Sequence, residues 1–155
     1  MSLILALLLA ANLHACGPTV GFAVNNPGNI AGATLSKWPG STGHDAWGHL
    51  VFEDKIHGVR AIRHNLVRYW TRHRINTVHG IVHRWVSIAD TTKAARDDYE
   101  KAICQAVGRG PGEALDMTDR DTLEELAQGI VYAENGCDDV PEYVYDAVFQ
   151  LEVLK

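Results

Sequence analysis

The sequence predicts a mainly α domain with a small irregular or β lobe near its beginning. From Ile56 onward, apolar residues recur at three- and four-residue steps, the period of amphipathic helices. Residues 17–54 instead concentrate Gly, Pro, Ser and Asn, the composition of turns and short strands. No internal repeat or low-complexity linker divides the chain. Its 155 residues are therefore expected to form a single domain, 1–155, large enough to bury a core without staples.

Each element follows from its own pattern. A helix is expected from Leu3 to about His14, within the apolar run MSLILALLLAANLHACG. This run (residues 1–16) resembles an export segment but lacks a basic n-region, and no charged side chain precedes Lys37. It is also shorter than the roughly 20 residues of a membrane span. A buried first helix is the favoured reading, a weak export or signal-anchor segment the next, and a cleaved signal the last. Membrane contact is expected only if this segment inserts. In the following lobe, HLVFE has the composition of a small strand. Ile56, Val59, Ile62, Leu66 and Trp70 then mark one face of a helix of about 20 residues. Thr77 is placed to cap a second, with Val78, Ile81, Val82 and Trp85 on one face. Tyr99, Ile103 and Val107 mark a third, closed by Gly108. Thr118 and Asp121 approximate a capping box for a fourth, whose stripe is Leu123, Leu126, Ala127 and Ile130. A last helix starts near Pro141 and turns Val144, Val148 and Leu151 inward.

Composition narrows the function. Apolar residues make up 46% and charged residues 21%, ordinary for a globular protein. A formal net charge of −5 argues against a nucleic-acid partner, which usually demands a basic face. The cysteines Cys16, Cys104 and Cys137 form no metal-binding pattern, and their odd number leaves at least one outside any intramolecular bridge. Cys104 reads as a small core residue. A Cys16–Cys137 bridge is compatible with the sequence but not required by it.

Glu134 is the strongest candidate for chemistry. Four residues beyond Ile130, it continues the core-facing stripe at a helix end marked by Asn135-Gly136. Partial withdrawal from water and the negative end of the helix both disfavour a carboxylate's charged form. Such a site favours a protonated acid able to give its proton to a leaving oxygen. NNPGNI, Asn25–Ile30, supplies a second feature. Pro27 and Gly28 suit a type II turn, which would present Asn26 and Asn29 on a rigid bend. Those amides would either bind acetamido and hydroxyl groups or lock the loop against the helix carrying Glu134.

Several stretches occur in a familiar order: NNPGNI, KWPGSTGHDAWGHLVFED, GVRAIRHNLVRYW, NTVHGIVHRW, a helix centred on Tyr99, and LAQGIVYAENG. Together they resemble the bacteriophage peptidoglycan-degrading proteins related to the cystovirus lysin, from about Asn25 to Gly136. The match is carried by Asn25–Ile30, Phe52, Gly58–Ala61, Arg84-Trp85 and Glu134–Gly136. It departs at Val86-Ser87, where Ala-Pro often follows the Trp, and at Asp90-Thr91-Thr92. The resemblance implies a lysozyme-like α fold, with the Asn loop before the acid helix in a permuted order of cleft elements. It also implies cleavage of the β-1,4 bond between N-acetylmuramic acid and N-acetylglucosamine. Glu134 would be the general acid/base, with no cofactor and no metal. Glycan strands and other virion proteins would be the partners, in a virion or an infected host, at the periplasm and cell wall.

On this reading Asn26, Asn29, Trp38, Trp47 and Tyr99 are the candidate substrate-binding residues, and Arg60 and Trp85 fix helices behind the cleft. For the three aromatics Trp38, Trp47 and Tyr99, packing in the core is the competing role. In two-carboxylate glycosidases the partners lie about 5–5.5 Å or about 6.5–9.5 Å apart. Asp45, Glu53, Asp54, Asp138 and Asp139 are available, but spacing singles out none of them. A lone acid suits a lytic transglycosylase, which stands slightly ahead of a hydrolytic muramidase. Two rival classes stay open. One is a zinc amidase or peptidase using His79 and His83, which are four apart but lack the Glu of H-E-x-x-H. The other is a non-catalytic virion protein that binds the wall.

Overall fold

A computed structural model describes residues 16–87, 89 and 91–150 of the chain. The helix expected over residues 3–14, Asp90, and Leu151 with its expected inward orientation lie outside the described residues. The described residues are mainly helical with one two-stranded sheet, as the sequence predicts. The elements are α1 (Val20–Ala23), a 3-10 turn (Leu35–Lys37), β1 (Ser41–His44), β2 (Leu50–Phe52), α2 (Lys55–His73), α3 (Val78–Trp85), α4 (Lys93–Val107), α5 (Arg120–Asn135) and α6 (Glu142–Tyr145). A π turn, Asp146–Gln150, continues α6. No described helix is long and apolar enough to cross a membrane.

Local chemistry explains most boundaries. Asp54, Thr77 and Thr92 accept the first free N–H groups of α2, α3 and α4 from His57, Gly80 and Ala95. Gly108 and Gly136, at φ of 60° and 74°, end α4 and α5 in the left-handed conformation glycine tolerates. The start of α5 corrects the expected capping box. Asp119, not Thr118, is the cap, because its carboxylate takes both the backbone N–H (2.8 Å) and the hydroxyl (2.7 Å) of Thr122. Thr118 turns back to Asp116 instead, its hydroxyl donating at 2.6 Å.

The apolar stripes meet in one core. It contains Val59, Ile62 and Leu66 of α2, Val78, Ile81 and Val82 of α3, Ile103 of α4, and Leu126 and Ile130 of α5. The antiparallel hairpin adds Leu50 and Phe52, and the C-terminal turn adds Val144 and Val148. Helix α5 packs most extensively on α4. Gly129 permits that approach, since a Cβ there would lie 3.1 Å from Ile103 Cα and 3.0 Å from Ala106 Cβ. Cys16 and Cys137 form a disulfide, Cα atoms 5.8 Å apart, tying the segment before α1 to the turn after α5. Cys104 is free and only half-buried.

Candidate active site

The last turn of α5 ends at Glu134 and Asn135, and three distant elements converge on the pair. Asn29 Nδ2 donates to Glu134 Oε2 at 2.9 Å. Trp85 Nε1, from the end of α3, donates to Oε1 at 3.1 Å. The Tyr99 hydroxyl, from α4, donates to the same oxygen at 2.8 Å. Burial, and then the Glu134 carboxylate, push the Tyr99 phenol well above its ordinary range, so it stays a neutral donor. The half-buried carboxyl group thus has Oε1 filled by two donors, while Oε2 accepts one and keeps a lone pair.

Asn135 fixes the other side of the turn. Its amide donates to Pro27 O at 2.8 Å and to Val131 O at 2.9 Å, and its carbonyl accepts from the Thr19 hydroxyl at 2.6 Å. The Asn-rich loop is therefore clamped directly onto the acid-bearing helix.

That loop differs in geometry from expectation. The Asn29 N–H does close the turn onto Asn26 O at 2.9 Å. However, the left-handed conformation falls on Asn25 and Asn29, φ of 56° and 46°, and not on Gly28, so the turn is not type II. Glycine is needed at 28 for space. A Cβ there would meet Ile62 Cγ1 at 2.8 Å and Trp85 Cζ2 at 3.2 Å. Gly58 of α2 has a similar role, because a Cβ would lie 2.0 Å from Asn25 O. The two glycines let the loop nest between α2 and α3, where Asn29 reaches the acid.

The sequence-predicted residues separate into two groups. Asn29 and Tyr99 meet Glu134. Asn26 does not: it is 0% exposed, and its amide donates to Ile30 O and Leu50 O while accepting the Ile30 N–H. It locks the loop and has nothing left to offer a ligand. Trp47 is 70% exposed at the hairpin tip, so it is neither lobe core nor a partner of the acid. Trp38 packs partly against the core, its ring edge-on to His64 at 5.7 Å. Trp85, read from sequence as structural, is a direct partner of Glu134.

Four of the five candidate second carboxylates are engaged elsewhere. Asp45 accepts the N–H groups of Trp47 and His49 in the hairpin turn. Asp54 caps α2, and Glu53 lies 3.4 Å from His57. Asp138 accepts from Tyr145 at 2.8 Å and from Val140 N at 3.0 Å, and Asp139 is exposed. Among the described residues, the zinc alternative gains no three-ligand set at His79 and His83. Their rings lie 4.2 Å apart, but His79 Nδ1 is bonded to Glu100 at 2.8 Å. Among the described residues, the three potential ligands that cluster are Glu53, Asp54 and His57, exposed to half-buried at the start of α2. No family model matches the chain, and no curated sequence matches it.

Proposed function

We propose that this protein cleaves the β-1,4 glycosidic bond of peptidoglycan, with Glu134 as its single acid/base, in the manner of a lytic transglycosylase. The observation that carries this reading is the convergence of Asn29, Trp85 and Tyr99 on one half-buried carboxyl group. A surface glutamate needs no such support, and a residue that must keep its aim during proton transfer does.

The proton belongs on Oε2, the oxygen with the spare lone pair, and passes to the bridging glycosidic oxygen as the bond to C1 breaks. The 6-hydroxyl of the same N-acetylmuramyl unit then bonds to C1. Its proton returns to Glu134, leaving a 1,6-anhydro sugar and an enzyme in its starting state. No second carboxylate is required, consistent with the other engagements of Asp45, Glu53, Asp54 and Asp138. Trp85 and Tyr99 hold Oε1 so that Oε2 faces the substrate.

The resemblance to phage wall-degrading proteins supports the substrate assignment and a phage-encoded role in host entry or lysis. The Cys16–Cys137 bridge supports work in an oxidising compartment such as the periplasm. The reading is tested by mass analysis of fragments released from purified peptidoglycan. Anhydro-muramyl ends are expected. Reducing ends would mean that water is the nucleophile, and no release at all would favour a wall-binding virion protein.

A further inference from the structure

The net charge conceals a strong segregation. All 19 Asp and Glu residues lie outside residues 55–89, a segment that holds seven of the 14 Lys and Arg residues and five of the eight His. Part of this charge lines two adjoining cavities along the outer face of α2. One, of about 410 Å³, is formed by Lys37, Trp38, His64, Arg68 and Arg72. The other, of about 430 Å³, shares Arg68 and adds Tyr69, His73 and Arg84.

Among the described residues, no carboxylate pairs with Arg68 or Arg72. Arg72 and His73 complement the C-terminal dipole of α2, but Arg68 stands a turn too early for that role. Burial, and then the charges of Arg68, Arg72 and Arg63, hold His64 below its ordinary range, so the imidazole opposes no anion there while adding little charge of its own.

Side-chain contacts link the groove wall to the acid. Tyr69 in its wall is edge-on to Trp85 at 6.2 Å, Arg84 lies 5.5 Å over the Tyr69 ring, and Trp85 donates to Glu134. We infer that the channel of Lys37, Trp38, Arg68, Arg72 and Arg84 binds the carboxylated peptide stems of the glycan strand whose sugar backbone is cleaved at Glu134. This rests on the proposed wall-lytic reading and gives it a second contact region. Trp38 offers an aromatic face to a sugar ring, and the cations meet carboxylates that recur along the strand. A sparsely charged polymer suits a basic strip on an otherwise acidic molecule. Nucleic acid, with its dense charge, would meet repulsion beyond the strip.

Co-sedimentation with insoluble peptidoglycan tests this, using Glu134→Gln protein so that binding is read without turnover. At low salt, Arg68→Gln/Arg72→Gln in that background is expected to weaken binding about fivefold or more, as two exposed ion pairs allow. Lys37→Gln, outside α2, should weaken it about twofold and repeats the test independently of that helix. Amidating the peptidoglycan carboxyl groups should reproduce the loss for the parent protein. Equal binding by the variants, indifference to amidation, or preferential displacement by a single-stranded oligonucleotide would each overturn the assignment. Because binding is measured apart from cleavage, an inactive wild type that still needs these arginines would refute the proposed reaction and leave the groove standing.

Discussion

The two ends of α5 treat a carboxylate in opposite ways. At the N-terminus, Asp119 is held by its own neighbourhood: the Thr122 hydroxyl, and then the Thr122 backbone N–H, lower its pKa below the ordinary aspartate range. The helix dipole favours it as well. At the C-terminus, Glu134 meets the unfavourable end of the dipole, and its partners come from residues 35, 49 and 105 positions away. A structural carboxylate is satisfied locally. On the proposed reading, a carboxylate kept for chemistry needs the whole fold to aim it.

Short of replacing the acid, the largest effect on activity is expected from its donors. Tyr99→Phe and Trp85→Phe should each lower kcat by up to about tenfold with little change in KM, since each removes a hydrogen bond of about 0.5–1.5 kcal/mol that aims the acid. Steady-state kinetics on solubilised peptidoglycan would check this. A rise in KM alone would make these residues substrate contacts instead.

Next comes the anchor beneath the site. Reducing the Cys16–Cys137 bridge, which closes a loop of 121 residues, should cost about 2–5 kcal/mol of stability. Chemical denaturation with and without reductant measures it, and an unchanged midpoint would show that α5 needs no such tie.

The smallest effect belongs to the other end of the helix. Asp119→Ala should lower Tm by a few degrees and leave cleavage intact. Because its folded pKa is depressed, Asp119 stabilises the fold above the ordinary aspartate pKa of about 3.9, and that contribution is lost as pH falls through the folded value. The Tm difference between wild type and variant should therefore shrink in acid. A large loss of activity at neutral pH would erase the contrast between the two ends.

The same contrast explains what could be read from the sequence. The stripes Val59-Ile62-Leu66 and Leu123-Leu126-Ile130 are periodic and became core. Gly108 and Gly136 closed their helices as composition predicts. Continuing the α5 stripe by four residues located Glu134 correctly at a half-buried helix end. Long-range specifics were not legible. Asn26 and Asn29 have the same side chain three residues apart, and only the docking of the loop on α2 makes one a lock and the other a partner of the acid. Trp85 lay on a core-facing stripe, and periodicity cannot reveal that its indole N–H points past the core. Even at short range, Asp119 outcompeted Thr118 as cap because a carboxylate accepts two hydrogen bonds from Thr122, a choice the capping-box spacing does not encode.

The most direct measurement is the rate of peptidoglycan cleavage by Glu134→Gln beside Asp119→Asn, each with its Tm. The Glu134 variant should fold like the wild type yet lose at least about a hundredfold in rate, the contribution of a general acid. The Asp119 variant should keep its rate. Wild-type turnover by Glu134→Gln would contradict the account.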